Sequence, residues 1–379
     1  MEPKIMLLTG ILLGAGLGII LGLVPSFNIG FAYLFATTLK DPYFAVGLII
    51  GVDSTSSIMR HLSMINSASE EDASELYKHD TSLILTSLAS GMSGKFIGSA
   101  VGIGLLIFLQ GSEMKLDGLG RAMSVIMVVG IWSLLIVFKS KNYKLAIASL
   151  VASSLLALVT TNLPINQPMF VLASCMFSST LFKSVLEKQG KIKDPHITSF
   201  HEGIEIASGF FAGALSSILW GLPTSVVCKA MQEDHDKPHT IISRKAFADS
   251  VSSSLGLTIF LVISRSKSAL TSNLSSLHLK FNDVENVGII LVSLSLSLVG
   301  YLIFNNIMDL YIKVSNVIPG MINKLIPLLT IGTLVYMSNG WCIPLIGASL
   351  LLNKVIRLAE APKELNLGAL SILPMMALF

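Results

Sequence analysis

Apolar residues run along this chain in stretches of about twenty, separated by short polar segments, a spacing that predicts a series of membrane-crossing helices. Unbroken runs cover 43–65, 82–110, 120–138, 145–163, 166–186, 287–308, 317–337 and 340–358. Two other runs are interrupted. The first, 5–24, stops at Pro25-Ser26-Phe27-Asn28, and the piece beyond it, 29–39, is too short to cross alone; the second covers 203–230 and breaks at Pro223. A span from Ala246 to Ile263 follows, and the last stretch, 366–379, contains Pro374 and is again too short. The pattern predicts an all-α polytopic membrane protein with about ten crossings.

The interrupted runs belong to a stretch that occurs twice. Each copy opens with small residues at every fourth position, Gly10, Gly14, Gly18 and Gly22 in one and Gly209, Gly213, Ser217 and Gly221 in the other. Each breaks at a proline, then places an acid and a run of hydroxyls inside an apolar segment: Asp53-Ser54-Thr55-Ser56-Ser57 and Asp249-Ser250-Val251-Ser252-Ser253. Prolines and aspartates recur after nearly the same interval, about half the 379 residues, which marks an internal duplication. The polar segment Glu187–Pro195 is the boundary, so the two repeats are expected over 1–190 and 191–379.

In hydrocarbon no water satisfies backbone groups, so a helix breaks only where its loose N–H and C=O groups are buried in protein or line a cavity. A matched pair of broken helices therefore predicts a cavity between the halves, and small residues at every fourth position let a neighbouring helix approach closely there. Asp53 lies near the centre of its span, where a carboxylate costs about 3 kcal/mol on insertion scales and is normally tied to an ion or proton path. Asp249 lies nearer the start of its predicted span, where solvation is an equally simple explanation. The hydroxyls have a plain reading as well, since Ser and Thr in helices commonly bond back to their own backbone. Arg60 and His61, at the far end of the first acidic span, read as interfacial residues or as a counter-charge for a substrate.

Composition narrows the class. With 52% hydrophobic and 13% charged residues and a mean hydropathy of +0.74, the chain is far from soluble composition. A net charge of +3, scattered between apolar runs, excludes nucleic acid as an expected partner. Cys175, Cys228 and Cys342 form no C-x-x-C pair and read as packing residues, and His235 and His239, with Pro238 between them, make a poor metal pair. The N-terminal run lacks a positive leader and a cleavage site and is expected to remain as the first helix. Basic loops at Lys139, Lys141 and Lys144 and at Lys183, Lys188, Lys191 and Lys193 lie two spans apart, which predicts that both face the cytoplasm. There is no G-x-S-x-G elbow, H-E-x-x-H pair or Walker A lysine, so neither an enzyme nor ATP-driven transport is expected.

At these residues the chain resembles the large membrane subunit of the tripartite tricarboxylate transporters, most of all its shorter archaeal-type members. That pattern has a glycine-laddered helix, a Pro-Gly turn, a short helix and a Gly-Gly-Ser segment, matched here by Gly14 to Pro25 and Gly51-Val52-Asp53-Ser54-Thr55-Ser56-Ser57. Its second half repeats the turn and adds an Ala-Asn-Asn-Ala-like segment, matched by Pro223-Thr224-Ser225 and Ala248-Asp249-Ser250-Val251. The acidic loop Ser67–Glu75 with His79-Asp80 is similar as well. The family's turn glycines are replaced here by Ser26, Asn28 and Thr224, which removes conformational freedom that a backbone anion nest uses.

The resemblance implies two inverted-topology repeats around a midplane site and uptake of a small carboxylate coupled to Na+ or H+ at the cell membrane. Substrate contacts are expected at Pro25, Ser26, Asn28, Thr55, Ser56, Ser57, Pro223, Thr224, Ser225 and Ser250. Ion coupling is expected at Asp53, Ser54, Asp249, Ser252 and Ser253, with Na+ or H+ as the only cofactor. Expected partners are membrane lipid, the small anion and further copies of the chain. Full systems add an extracytoplasmic binding protein and a small membrane subunit, which a chain this short is not expected to need. Two alternatives keep the architecture: a polyprenyl-phosphate translocase with a lateral opening, and a non-transporting scaffold whose cavity is filled by side chains such as Phe27.

Overall fold

The computed structural model describes residues 3–23, 30–63, 82–109, 118–165, 168–176, 203–219, 222–233, 236–263, 269–279, 282–317, 328, 331–336 and 338–368. Every regular element among them is helical: α1 Pro3–Gly22, α2 Gly30–Thr37, α3 Pro42–Ser63, α4 Ser82–Leu109, α5 Gly118–Lys139, α6 Tyr143–Thr161, α7 Pro168–Met176, α8 Gly203–Ile218, α9 Thr224–Ala230, α10 Pro238–Ile263, α11 Ala269–Ser276, α12 Asp283–Val317, α13 Cys342–Leu358 and a 3-10 turn at Lys363–Leu367. Six are long and apolar enough to cross a membrane: α1, α3, α4, α6, α10 and α12. Large apolar side chains on their outer faces, such as Leu12, Phe108 and Leu302, are exposed, as a lipid-facing surface requires.

The glycine ladder explains how α1 is placed. Leu8, Leu12 and Leu13 point outward while Gly10, Gly14, Gly18 and Gly22 meet α3 at Phe44, Leu48, Val52 and Ser56 in turn. A Cβ on Gly14 would lie 2.4 Å from the Leu48 carbonyl oxygen, so the backbones touch where only glycine fits. The contacts advance together along both helices, so α1 and α3 are parallel. The chain between them must return roughly 21 Å, of which α2 covers about 12 Å at 1.5 Å per residue.

The second unit is built the same way. In α8, Gly209 meets Arg244 and Phe247 of α10 and Gly213 meets Ala248 and Val251, again a parallel pair, with a Gly213 Cβ landing 2.6 Å from the Ala248 carbonyl. Between them the helix stops at Ile218, and Pro223, with φ −65° and ψ 145°, opens the short α9. The break expected at Pro223 is therefore present; Pro25, Ser26, Phe27 and Asn28 lie outside the described residues, although α1 ends before them and α2 begins after them.

Two expectations shift. Helix α10 begins at Pro238, eight residues before the apolar run, because its first two turns are amphipathic: Ile242 and Ser243 are buried while His239 is exposed. Asp249 is thus near the middle of its span, His239–Val262, as Asp53 is in Pro42–His61. The ladders also align one rung out. Gly14 meets the residue five before Asp53, and Gly209 the residue five before Asp249, so Gly14, Gly18 and Gly22 correspond to Gly209, Gly213 and Ser217.

Helix α4 joins the units. It runs parallel to α10, with Gly94 on Phe247, Gly98 on Val251, Gly102 on Thr258 and Ser90 Oγ 2.7 Å from Ser243 Oγ. Its start meets the end of α3, where His61 Nδ1 is 2.7 Å from Ser87 Oγ. Helix α12 runs along α3: Ser54 Oγ bonds Ser293 Oγ at 2.9 Å, Ser297 Oγ donates to the Ser54 carbonyl at 3.1 Å, and Gly300 meets Ile58. The helix after each laddered pair therefore packs on the other pair's partner helix. A second core gathers α5, α8, α9 and α13 around Trp132, Leu222, Val226 and Ile356.

Candidate functional site

Each aspartate is held by the short helix of its own unit. Tyr33 Oη on α2 donates to Asp53 Oδ1 at 2.6 Å, and Thr224 Oγ1, the first residue of α9, donates to Asp249 Oδ1. Tyr33 is buried and Asp53 partly so, whereas Asp249 is exposed on the surface of the described chain. In both units a hydroxyl on the short helix thus docks on the mid-span carboxylate, and a bond to an ionised acceptor is among the stronger hydrogen bonds.

Most hydroxyls after Asp53 are spent on packing. Ser54 Oγ bonds the Ile50 carbonyl at 2.7 Å besides Ser293, and Thr55 Oγ1 bonds the Ala15 carbonyl of α1 at 2.9 Å and Gly51 at 3.0 Å. Ser56 Oγ donates to the Asp53 carbonyl at 3.3 Å and Ser57 Oγ to the Ser54 carbonyl at 2.9 Å. In α10, Ser252 and Ser253 are partly buried, as is Ser225 in α9. Ser250 approaches α4: a Cβ on Gly91 would lie 3.3 Å from Ser250 Oγ and 3.1 Å from His61 Nε2.

That turn of α4 carries the residue which hydropathy alone passes over. Lys95, one turn beyond Gly91, is only 3% exposed, and its backbone carbonyl accepts from Ser254 Oγ of α10 at 3.5 Å. It is a single lysine inside a span otherwise free of charge, Leu83–Phe108. Within two turns of Lys95, α4 therefore faces His61 from the first unit and Ser250 from the second. Arg60 is exposed, so the pair Arg60-His61 divides: the arginine points out and the histidine is a buried ligand of Ser87.

Arg244 is accounted for by structure. It is buried and clamps the second unit, bonding Asp236 Oδ2 at 2.8 Å, Ser208 Oγ at 2.9 Å and the Met231 carbonyl at 3.3 Å. Among the described residues no three His, Cys, Asp or Glu side chains gather as a metal would require, and the three cysteines are buried and form no disulfide. A Na+ ion would instead take carboxylate, hydroxyl and carbonyl oxygens, which the Asp53 turn supplies.

No protein-family model, curated protein or solved structure matches this chain.

Proposed function

We propose that this chain is a secondary active transporter that moves a small organic anion of the di- or tricarboxylate class across the cell membrane, driven by Na+ or H+, and that it belongs with the tripartite tricarboxylate transporters. The observation that carries the reading is a pair of charges inside membrane-length helices, half-buried Asp53 near the middle of its span in α3 and buried Lys95 in α4. A charge at that depth costs about 3 kcal/mol on insertion scales, which packing alone would not retain. In transporters such intramembrane charges line the path of the ion and its co-substrate.

The architecture supports the same reading. We take α1 and α3 to run opposite to α4, since the end of α3 meets the start of α4 at His61 and Ser87, while α8 and α4 run with α10. We take the two units as inverted repeats, with α5, α7, α8 and α13 bringing the crossings to about ten. The site then lies where the repeats meet, and Tyr33 and Thr224 let each carboxylate report its charge to a short helix that gates one side. The test is uptake of labelled citrate and succinate by proteoliposomes under an imposed Na+ or proton gradient. Gradient-driven accumulation supports the proposal; equal uptake by protein-free vesicles refutes it.

A further inference from the structure

We infer that the anion is held at Gly91 of α4, between the His61 imidazole of the first unit and the Ser250 hydroxyl of the second. The inference rests on the transport reading and names the atoms that take the substrate. A Cβ on Gly91 would lie 3.1 Å from His61 Nε2 and 3.3 Å from Ser250 Oγ. Two hydrogen-bonding atoms from different units thus converge on one glycine, and any side chain there would come between them.

Ser250 is set apart by its unspent hydroxyl. In the first unit Ser54, Thr55, Ser56 and Ser57 each donate to a backbone carbonyl, and in α10 Ser254 and Thr258 donate to the carbonyls one turn back at 3.0 Å. Ser250, the counterpart of Ser54, makes no side-chain hydrogen bond among the described residues, although it is half-buried inside the span His239–Val262. A hydroxyl at that depth costs free energy until something binds it.

His61 is a donor as well. Ser87 is buried, and its contact with His61 Nδ1 at 2.7 Å is the one hydrogen bond of its hydroxyl among the described residues. A buried O–H needs an acceptor, so Ser87 donates to Nδ1 and the ring proton stays on Nε2, against Gly91. Two donors, with Lys95 buried one turn further along α4, favour an anion, and the acid beside Ser250 in the chain, Asp249, is engaged by Thr224. Because the donors belong to different units, movement of one unit against the other parts them and releases the anion.

The experiment measures the melting temperature of the purified full chain in nanodiscs and its affinity for citrate, succinate and inorganic phosphate, for wild type, Ser250→Ala, Gly91→Ala and Ser93→Ala. Ser250→Ala removes a hydroxyl without a partner, so it should melt with wild type and still bind citrate or succinate at least about tenfold more weakly, the scale of one hydrogen bond to a charged group. Gly91→Ala should lose at least as much by filling the gap. Ser93, exposed on α4 and bonded to the Ala89 carbonyl, is the control and should tolerate alanine with wild-type affinity. Wild-type affinity in Ser250→Ala or in Gly91→Ala overturns the inference and leaves the transport reading standing. Binding of phosphate alone, weakened by both substitutions, supports the site and overturns the carboxylate reading, while a wild type that binds none of the three overturns both.

Discussion

Two hydroxyls on two short helices, Tyr33 and Thr224, find the mid-span carboxylates of their own units. Replacing Tyr33 by Phe leaves Asp53 partly buried without its donor. A hydrogen bond to a charged group contributes about 1.5–3 kcal/mol, so Tyr33→Phe should lower thermal stability by several degrees and weaken the grip on α2. The expected signature is coupling: in an Asp53→Ala background the Tyr33→Phe loss should shrink by most of that amount. An equal loss in both backgrounds would make the tyrosine ordinary packing. At the same scale, Asp53→Asn should abolish cation-driven citrate accumulation in proteoliposomes while leaving the fold intact, because the amide oxygen still accepts from Tyr33. Undiminished gradient-driven uptake would exclude Asp53 from coupling.

Asp53 was legible in the sequence because a lone acid in a run such as Gly47–Val52 stands out by its cost. Lys95 stands out on the same ground, one lysine within the 28 residues of α4, but averaging hydropathy over a long span hides a single charge. Which hydroxyls face the site was not legible. Ser54 and Thr55 look like ligands by type, and only the partner helices reveal that they bond Ser293 and Ala15.

At the scale of elements, the glycine ladders and proline breaks predicted close helix contacts and a chain interruption, and both are present at Gly14 and Pro223. Their register was not legible, since a ladder with a period of four looks the same after sliding by one rung. The partner helix fixes it, through backbone contacts that sequence does not record. The start of α10 was misplaced for a related reason: its first turns alternate polar and apolar faces, and a window that seeks continuous apolarity skips them. The ladder offers a sharp test. Gly14→Leu must push α1 off α3, because even a Cβ meets the Leu48 carbonyl at 2.4 Å. Overpacking of this kind costs at least about 1–3 kcal/mol, and the backbone cannot yield as a side chain would. Gly16, also in α1, has open space around its Cβ position, so Gly16→Leu should melt within a degree or two of wild type. Equal stability of the two variants, measured by tryptophan fluorescence on heating, would contradict the parallel packing.

For the whole molecule, the decisive property is direction. Two units of like fold that ran the same way through the membrane would put α2 and α9 on one side, and a cavity between them could open only there. Opposed units put one short helix on each side, which alternating access requires. The contacts of α4 bear on the proposed inversion: it is parallel to α10 through Ser90, Gly94, Gly98 and Gly102, and its start meets the end of α3 at His61. Lys40 and Lys237 are both exposed and precede α3 and α10 by two residues and one residue. Cysteines placed at these positions, in a chain whose three native cysteines are buried and replaced by serine, should react with an impermeant maleimide from opposite faces of the membrane in sealed vesicles. Labelling of both from the same face would rule out inverted units.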